Sequence, residues 1–210
     1  MNTTAALCAI LLALLLGAMS PGPSFVLVAR TAIGHSRAAG VASALGMGAG
    51  GLLFSLLALL GLYSLLASVA WLYATLKIAG AAYLLYLAWK IWRGASAPLV
   101  VADAGAPARR SLLQSFGTGL GTQLTNPKTA LVYGSIFAAL LPGDPPAWVM
   151  VGLPAMVFCV EAGWYAAVAL CFSSPAPRAI YLHAKSGIDR LAAAAIAALG
   201  LRLLLTAGEQ

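Results

Sequence analysis

Ser20-Pro21-Gly22-Pro23 cuts into the first apolar run of this chain, and Asn126-Pro127-Lys128 cuts into the fourth. Proline lacks an amide hydrogen and its ring presses on the carbonyl four residues back, so each motif leaves backbone polar groups without helical partners. In hydrocarbon an orphaned backbone group costs several kcal/mol, and irregular backbone survives there only inside protein or against a water-filled cavity. What surrounds the two breaks therefore decides how the rest of the chain folds.

Of 210 residues, 62% are hydrophobic and 8% are charged, and the mean hydropathy is +0.95. A soluble domain carries about 25% charged residues. This chain has too few to clothe a water-facing surface, so the lipid bilayer is its expected solvent. Apolar runs near 5–29, 39–62, 69–92, 113–141, 148–172 and 188–206 each approach the roughly 20 residues that a spanning helix needs. The first is read as a retained span, because no basic residue precedes Arg30 and prolines follow its only small-residue stretch.

The expected fold is an all-α membrane protein of six transmembrane helices, with helices 1 and 4 broken at the proline motifs. It forms one domain, 1–210. A flexible connection at about 94–111, rich in Ala, Pro and Gly, separates halves of about 1–93 and 112–210. Three spans per half is an odd number, so the second half enters the membrane in the opposite sense. At an offset of 104 residues, Gly17 matches Gly121, Pro23 matches Pro127, Leu27 matches Leu131 and Val28 matches Val132. Matched breaks in two inverted halves are the pattern of a solute site in a transporter built from repeats.

The net charge of +7 is placed unevenly. Arg30 and Arg37 follow the first run, Lys90, Arg93, Arg109 and Arg110 the third, and Arg178, His183, Lys185 and Arg190 the fifth. The connections after the second and fourth runs hold no Lys or Arg. Basic short loops stay cytoplasmic, which places both termini outside. No basic patch is interleaved with aromatics on a soluble element, so a nucleic-acid partner is not expected.

Gly34, Gly40, Gly46, Gly50 and Gly51, with Gly117, Gly119 and Gly121, suit close helix packing. Trp71, Tyr73, Trp89, Trp92, Trp148 and Tyr181 lie near run ends, as interfacial anchors do. Cys8, Cys159 and Cys171 read as small buried hydrophobes, with no disulfide or metal-ligand spacing.

Asn126 is a favoured N-cap and Pro127 a favoured first helical residue, so the motif reads as the start of a half-helix. Ser20-Pro21 and Gly22-Pro23 repeat that grammar and leave the amides of Ser24 and Phe25 as donors. The positive helix ends suit a carboxylate or phosphate. Lys128 is costly at depth and is read as binding a substrate carboxylate. Glu161 is taken as the only acid within the predicted runs, either pairing with Lys128 or carrying protons. Arg30, Lys77 and Arg202 lie nearer run ends, where long side chains reach the interface. His35 and His183 fall in loops without acid or nucleophile partners, so no catalytic set is expected and the chain is not read as an enzyme.

Ser20-Pro21-Gly22-Pro23 followed by spaced glycines, Lys77-Ile78-Ala79-Gly80-Ala81-Ala82-Tyr83-Leu84-Leu85-Tyr86-Leu87, and Asn126-Pro127-Lys128-Thr129-Ala130 resemble the hallmarks of the LysE/RhtB amino-acid exporters. So does Leu199-Gly200-Leu201-Arg202-Leu203 after Asp189-Arg190. The resemblance implies a six-span exporter of amino acids or related metabolites driven by the proton-motive force. The chain departs from the pattern at Gly143-Asp144 after Leu140-Leu141-Pro142, at Ala193, and at Glu161. No G-x-x-x-x-G-K-[ST] loop is present for nucleotide use, and no cofactor is expected. The expected partners are a small-molecule substrate, protons and the bilayer. The small bundle is also a reason for two copies to pair as a homodimer. A thiol-redox carrier and a passive channel are the alternative functions; the first wants paired cysteines on a common cavity.

Overall fold

The computed structural model describes residues 3–68, 70–99, 101, 110–141 and 145–206. Among them every regular element is a helix: α1 (Thr3–Met19), α2 (Pro23–Gly34), α3 (Arg37–Ser68), α4 (Ala70–Gly94), α5 (Leu112–Leu124), α6 (Pro127–Leu140), α7 (Val149–Phe172) and α8 (Pro175–Thr206).

Pro23 and Pro127 are each the first residue of their helix, where the missing amide hydrogen is harmless. Gly22 is the N-cap of α2 with no capping side chain, so Ser20-Pro21 does not start a helix as the motif suggests. Asn126 caps α6 by accepting from the amide of Lys128 at 3.0 Å. Across Ser20–Gly22 the chain bends by 60° between α1 and α2. α5 begins with a capping box in which Ser111 and Gln114 satisfy each other's amides.

The six expected runs coincide with α1–α2, α3, α4, α5–α6, α7 and α8. By length and apolar content, two helices qualify alone among the described residues: α3 over Arg37–Gly61, with mean hydropathy 1.9, and α7, with 1.8. The bent pair α1–α2 makes a third. A 25-residue helix is about 37 Å long, enough to cross a hydrocarbon core of about 30 Å. α5 and α6, of 13 and 14 residues, are each too short. α8 carries Arg178, Lys185, Asp189, Arg190 and Arg202, and begins at Pro175, well before the expected 188. Residues 102–109 of the connection and the Pro142–Asp144 departure lie outside the described residues, as do the side chains of Trp71, Tyr73 and Lys77.

α3 is the central element, packed along α5 and α7, while α4 lies along α8. Small residues set the α3–α5 spacing. A Cβ on Gly46 would collide with the carbonyl oxygen of Phe116, and one on Gly119 with that of Ser43. The hydroxyl of Ser43 donates to the Ser115 carbonyl at 3.0 Å across the same seam. Gly117 and Gly121, on the same helix, have open space instead.

Two apolar clusters form the core. One gathers Leu14, Leu84, Ile136, Phe137 and Val157; the other gathers Ala18, Phe25, Met47, Tyr165 and Phe172. Val157 and Tyr165 share a face of α7, and Glu161 lies between them at the intervening i+4 position. A polar layer thus separates the two clusters.

Gly46→Ala is expected to lower the thermal unfolding midpoint of the detergent-purified protein, since overpacking against backbone costs about 1–3 kcal/mol. Gly117→Ala should raise it slightly, because relieving a mid-helix glycine is worth about 0.5–1 kcal/mol. Equal shifts in the two variants would remove the close α3–α5 seam.

Candidate functional site

α1 ends inside the protein, and a helix end leaves its last carbonyls without intrahelical donors. Side chains from three later helices supply them. The ammonium of Lys128 on α6 donates to the carbonyls of Gly17 and Ser20, both at 3.1 Å. The indole of Trp164 on α7 donates to Ala18 at 3.2 Å, and the hydroxyl of Tyr181 on α8 to Met19 at 3.4 Å. A cation at the negative end of a helix dipole is also favourable. Tyr181 stacks on Phe25 at 5.2 Å and packs edge-on to Phe172. It is partly buried, with its ring packed between α2 and α7. Trp89, Trp92 and Trp148 are exposed.

A second set of bonds starts from the same break. The Asn126 amide donates to the Ser24 hydroxyl at 3.0 Å, and Ser24 donates to the Gln123 side-chain oxygen at 2.6 Å. Gln123 donates in turn to one carboxylate oxygen of Glu161, and Tyr133 donates to the other at 2.8 Å. Every hydrogen in this chain points toward Glu161, whose carboxylate accepts at both oxygens. Gly51 on α3 makes the room, because a Cβ there would crowd both the Tyr133 hydroxyl and the carboxylate. Taking a carboxylate out of water costs several kcal/mol unless such donors surround it, and Glu161 is only 3% exposed.

Sequence reasoning singled out Glu161, either as a partner of Lys128 or as a proton carrier. Among the described residues no ion pair joins them; Glu161 is held by Gln123 and Tyr133, and Lys128 by carbonyls. Gln123 and Tyr133 were missed. Their signal was a polar residue and a hydroxyl inside apolar runs flanking Asn126-Pro127-Lys128. Asp189 was missed as a second acid at the edge of the sixth run; it is 3% exposed and pairs with Lys185 at 3.0 Å.

Two chambers meet at the breaks. The inner one, about 30 Å³, is lined by Ser24, Gln123, Tyr133, Glu161 and Tyr165 among others. Since about 10–15 Å³ admits one water, this space takes water and not an amino acid. The outer vestibule holds about 550 Å³ and reaches Tyr83, Tyr86, Lys90, Lys185 and Asp189. Small-molecule sites commonly measure about 300–1,000 Å³. Ser20, Gly22, Asn126 and Lys128 line both chambers and form the partition between them, and Pro21, Pro23 and Pro127 line the vestibule.

Among the described residues no cluster of His, Cys, Asp and Glu is arranged to hold a metal. Cys8 and Cys159 are exposed and Cys171 is partly buried. The expected burial of all three is thus wrong: they sit on or near outer faces, where an apolar solvent suits them as well as a core does.

A helical bundle whose broken helices stand between a wide vestibule and a small chamber holding a buried acid has the form of a membrane translocator. The LysE type translocator family matches residues 15–207, and the chain belongs to that family. It is 32% identical over 192 residues to the threonine efflux proteins of Salmonella typhimurium and Escherichia coli K12, covering 90% of this chain and 92% of each relative. It is 31% identical over 132 residues to the leucine efflux protein of Salmonella choleraesuis, covering 60% of this chain and 58% of the relative. No solved structure matches the chain.

Tyr133→Phe leaves one oxygen of a buried carboxyl group unpaired, at a cost of about 1–3 kcal/mol. The unfolding midpoint of that variant should fall clearly, while the exposed Tyr86→Phe should leave it unchanged. Indistinguishable midpoints would mean that Glu161 does not rely on the Tyr133 hydroxyl.

Proposed function

We propose that this protein is a secondary exporter of amino acids across the bacterial inner membrane, coupled to the proton-motive force. The observation that carries this reading is the shared partition: the broken ends of α1–α2 and α5–α6 separate a substrate-sized vestibule from the chamber that holds Glu161. The named activities of the threonine and leucine efflux relatives support amino acids as the cargo class.

In this reading the chain crosses the membrane six times in two inverted halves, with both termini outside. Pro23 and Pro127, 104 residues apart, hold the same first position in α2 and α6. The contacts α2–α7 and α6–α3 are equivalent under that repeat, as are α1–α6 and α5–α2. The vestibule opens beside Gly94, Ala97 and Pro98 in the basic connection, the predicted cytoplasmic side.

A substrate carboxylate entering there meets the ammonium of Lys128. Two of its three hydrogens are engaged by Gly17 and Ser20, and the third has no partner among the described residues. The uncapped first turn of α2 and the Asn126-capped turn of α6 offer further donors, so Ser20, Pro21, Gly22, Pro23, Ser24, Asn126, Pro127 and Lys128 form the binding and gating set. When the carboxylate draws Lys128 away from α1, the α1 end loses a cap and the partition loosens. Asn126 both caps α6 and feeds the bonds that end on Glu161, so motion at the gate reaches the acid. Glu161 then exchanges a proton with the outward side as the substrate leaves, and rocking of the halves resets the gate. A thiol carrier is disfavoured because none of the three cysteines lines either chamber. An open channel is disfavoured because the chamber beyond the partition, about 30 Å³, is too small for an amino acid.

Proteoliposomes loaded with labelled threonine should release it against a gradient, and a protonophore should abolish that release. Lys128→Ala and Glu161→Gln each remove a charge-assisted interaction of about 1.5–3 kcal/mol, so efflux should fall about tenfold or more at normal expression. Release that ignores both the protonophore and the two substitutions overturns the proposal.

A further inference from the structure

The vestibule holds four charged side chains, Lys90, Lys128, Lys185 and Asp189. Lys185 is saturated: its ammonium donates to the carbonyls of Gly94 at 2.9 Å, Ala95 at 3.2 Å and Ala97 at 2.8 Å, and pairs with Asp189 Oδ2 at 3.0 Å. Four acceptors already share its three hydrogens, so it has nothing left for a substrate.

Asp189 is different. Lys185 holds Oδ2, and Oδ1 is buried with no hydrogen-bond partner among the described residues. A buried acceptor left unpaired costs about 1–3 kcal/mol, more when charged, and native proteins rarely leave one without a use. Asp189 is also the one acid among the residues lining the vestibule, whose other lining charges are lysines.

We propose that Asp189 is the amine-recognition residue of the vestibule, accepting from the ammonium group of an α-amino acid whose carboxylate is directed to Lys128. This assignment rests on the exporter reading above and deepens it. A chamber with Lys128 and Lys90 alone would take any small carboxylate. With an acceptor oxygen reserved on Asp189, it selects zwitterions: a 2-hydroxy acid presents no cation there and leaves Oδ1 without its charge partner. Lys185 pairs with Oδ2 alone, which leaves Oδ1 to accept from the substrate.

The test uses full-length protein in proteoliposomes loaded with labelled threonine or with 2,3-dihydroxybutanoate, in which a hydroxyl replaces the amine. The wild type should export threonine at least about tenfold faster, because the hydroxyl can donate to Asp189 but lacks the charge that strengthens the ammonium's bond. Asp189→Asn, which keeps side-chain volume, should bring the two rates to within about threefold, mainly by loss of threonine export. Lys185→Gln should lower the unfolding midpoint yet retain the preference, since the carboxylate remains. An unchanged preference in Asp189→Asn, an equal loss of both substrates, or loss of the preference in Lys185→Gln overturns the assignment while leaving the exporter intact. Absence of threonine export by the wild type overturns the exporter reading itself. Threonine should also raise the unfolding midpoint of detergent-purified wild type and not of Asp189→Asn; equal shifts count against the proposal even where transport is too slow to measure.

Discussion

The last turn of α1 ends inside the protein, and the carbonyls of Gly17, Ala18, Met19 and Ser20 must find donors there. Lys128, Trp164 and Tyr181 supply them. One from each of α6, α7 and α8, they tie a single helix end to the whole second half of the chain. The 60° turn into α2 is possible because this end is already satisfied. Without those three side chains the break would leave several orphaned acceptors, each worth several kcal/mol in hydrocarbon.

The same economy of donors organises the layer around Glu161. Asn126 serves α6 as a cap through its oxygen and Ser24 through its nitrogen, so one side chain belongs to both a helix start and a buried network. Space for the network comes from glycine. Gly51 leaves room for the Tyr133–Glu161 contact, and Gly46 and Gly119 bring α3 and α5 into backbone contact beside it. Small residues at one seam thus permit a large polar group at the next. The apolar clusters on either side confine the polar groups to a thin stratum.

The arrangement has two compartments of unequal size with a common wall. About 550 Å³ on one side and about 30 Å³ on the other means that a solute can lodge in the vestibule but cannot pass the wall as it stands. The wall consists of backbone ends and their caps. Such groups exchange partners without disturbing a packed core, whereas a wall of interlocked apolar side chains would resist local change. Lys128 lines both compartments while bonded to the end of α1.

Much of this was legible in the chain. Low charge and long apolar runs determined the helical class. The cap-then-proline grammar located the start of α6 at Pro127 to the residue, because capping and proline placement are local effects of a few neighbouring atoms. At the first break the grammar was ambiguous, and only the structure shows that Gly22-Pro23, and not Ser20-Pro21, begins the helix. Partners were not legible. Lys128 and Glu161 attract each other on paper as the charged residues of adjacent runs, yet rotation about the helix axes and the depth of α1's end decide which atoms meet. Lys128 met carbonyls, Glu161 met an amide and a phenol, and Asp189 proved buried beside Lys185. Local chemistry along the chain set where helices start and stop and what solvent they need. Which side chain satisfies which orphaned group was set by tertiary packing, because a hydrogen bond depends on separations of a few tenths of an ångström that no spacing along the chain encodes.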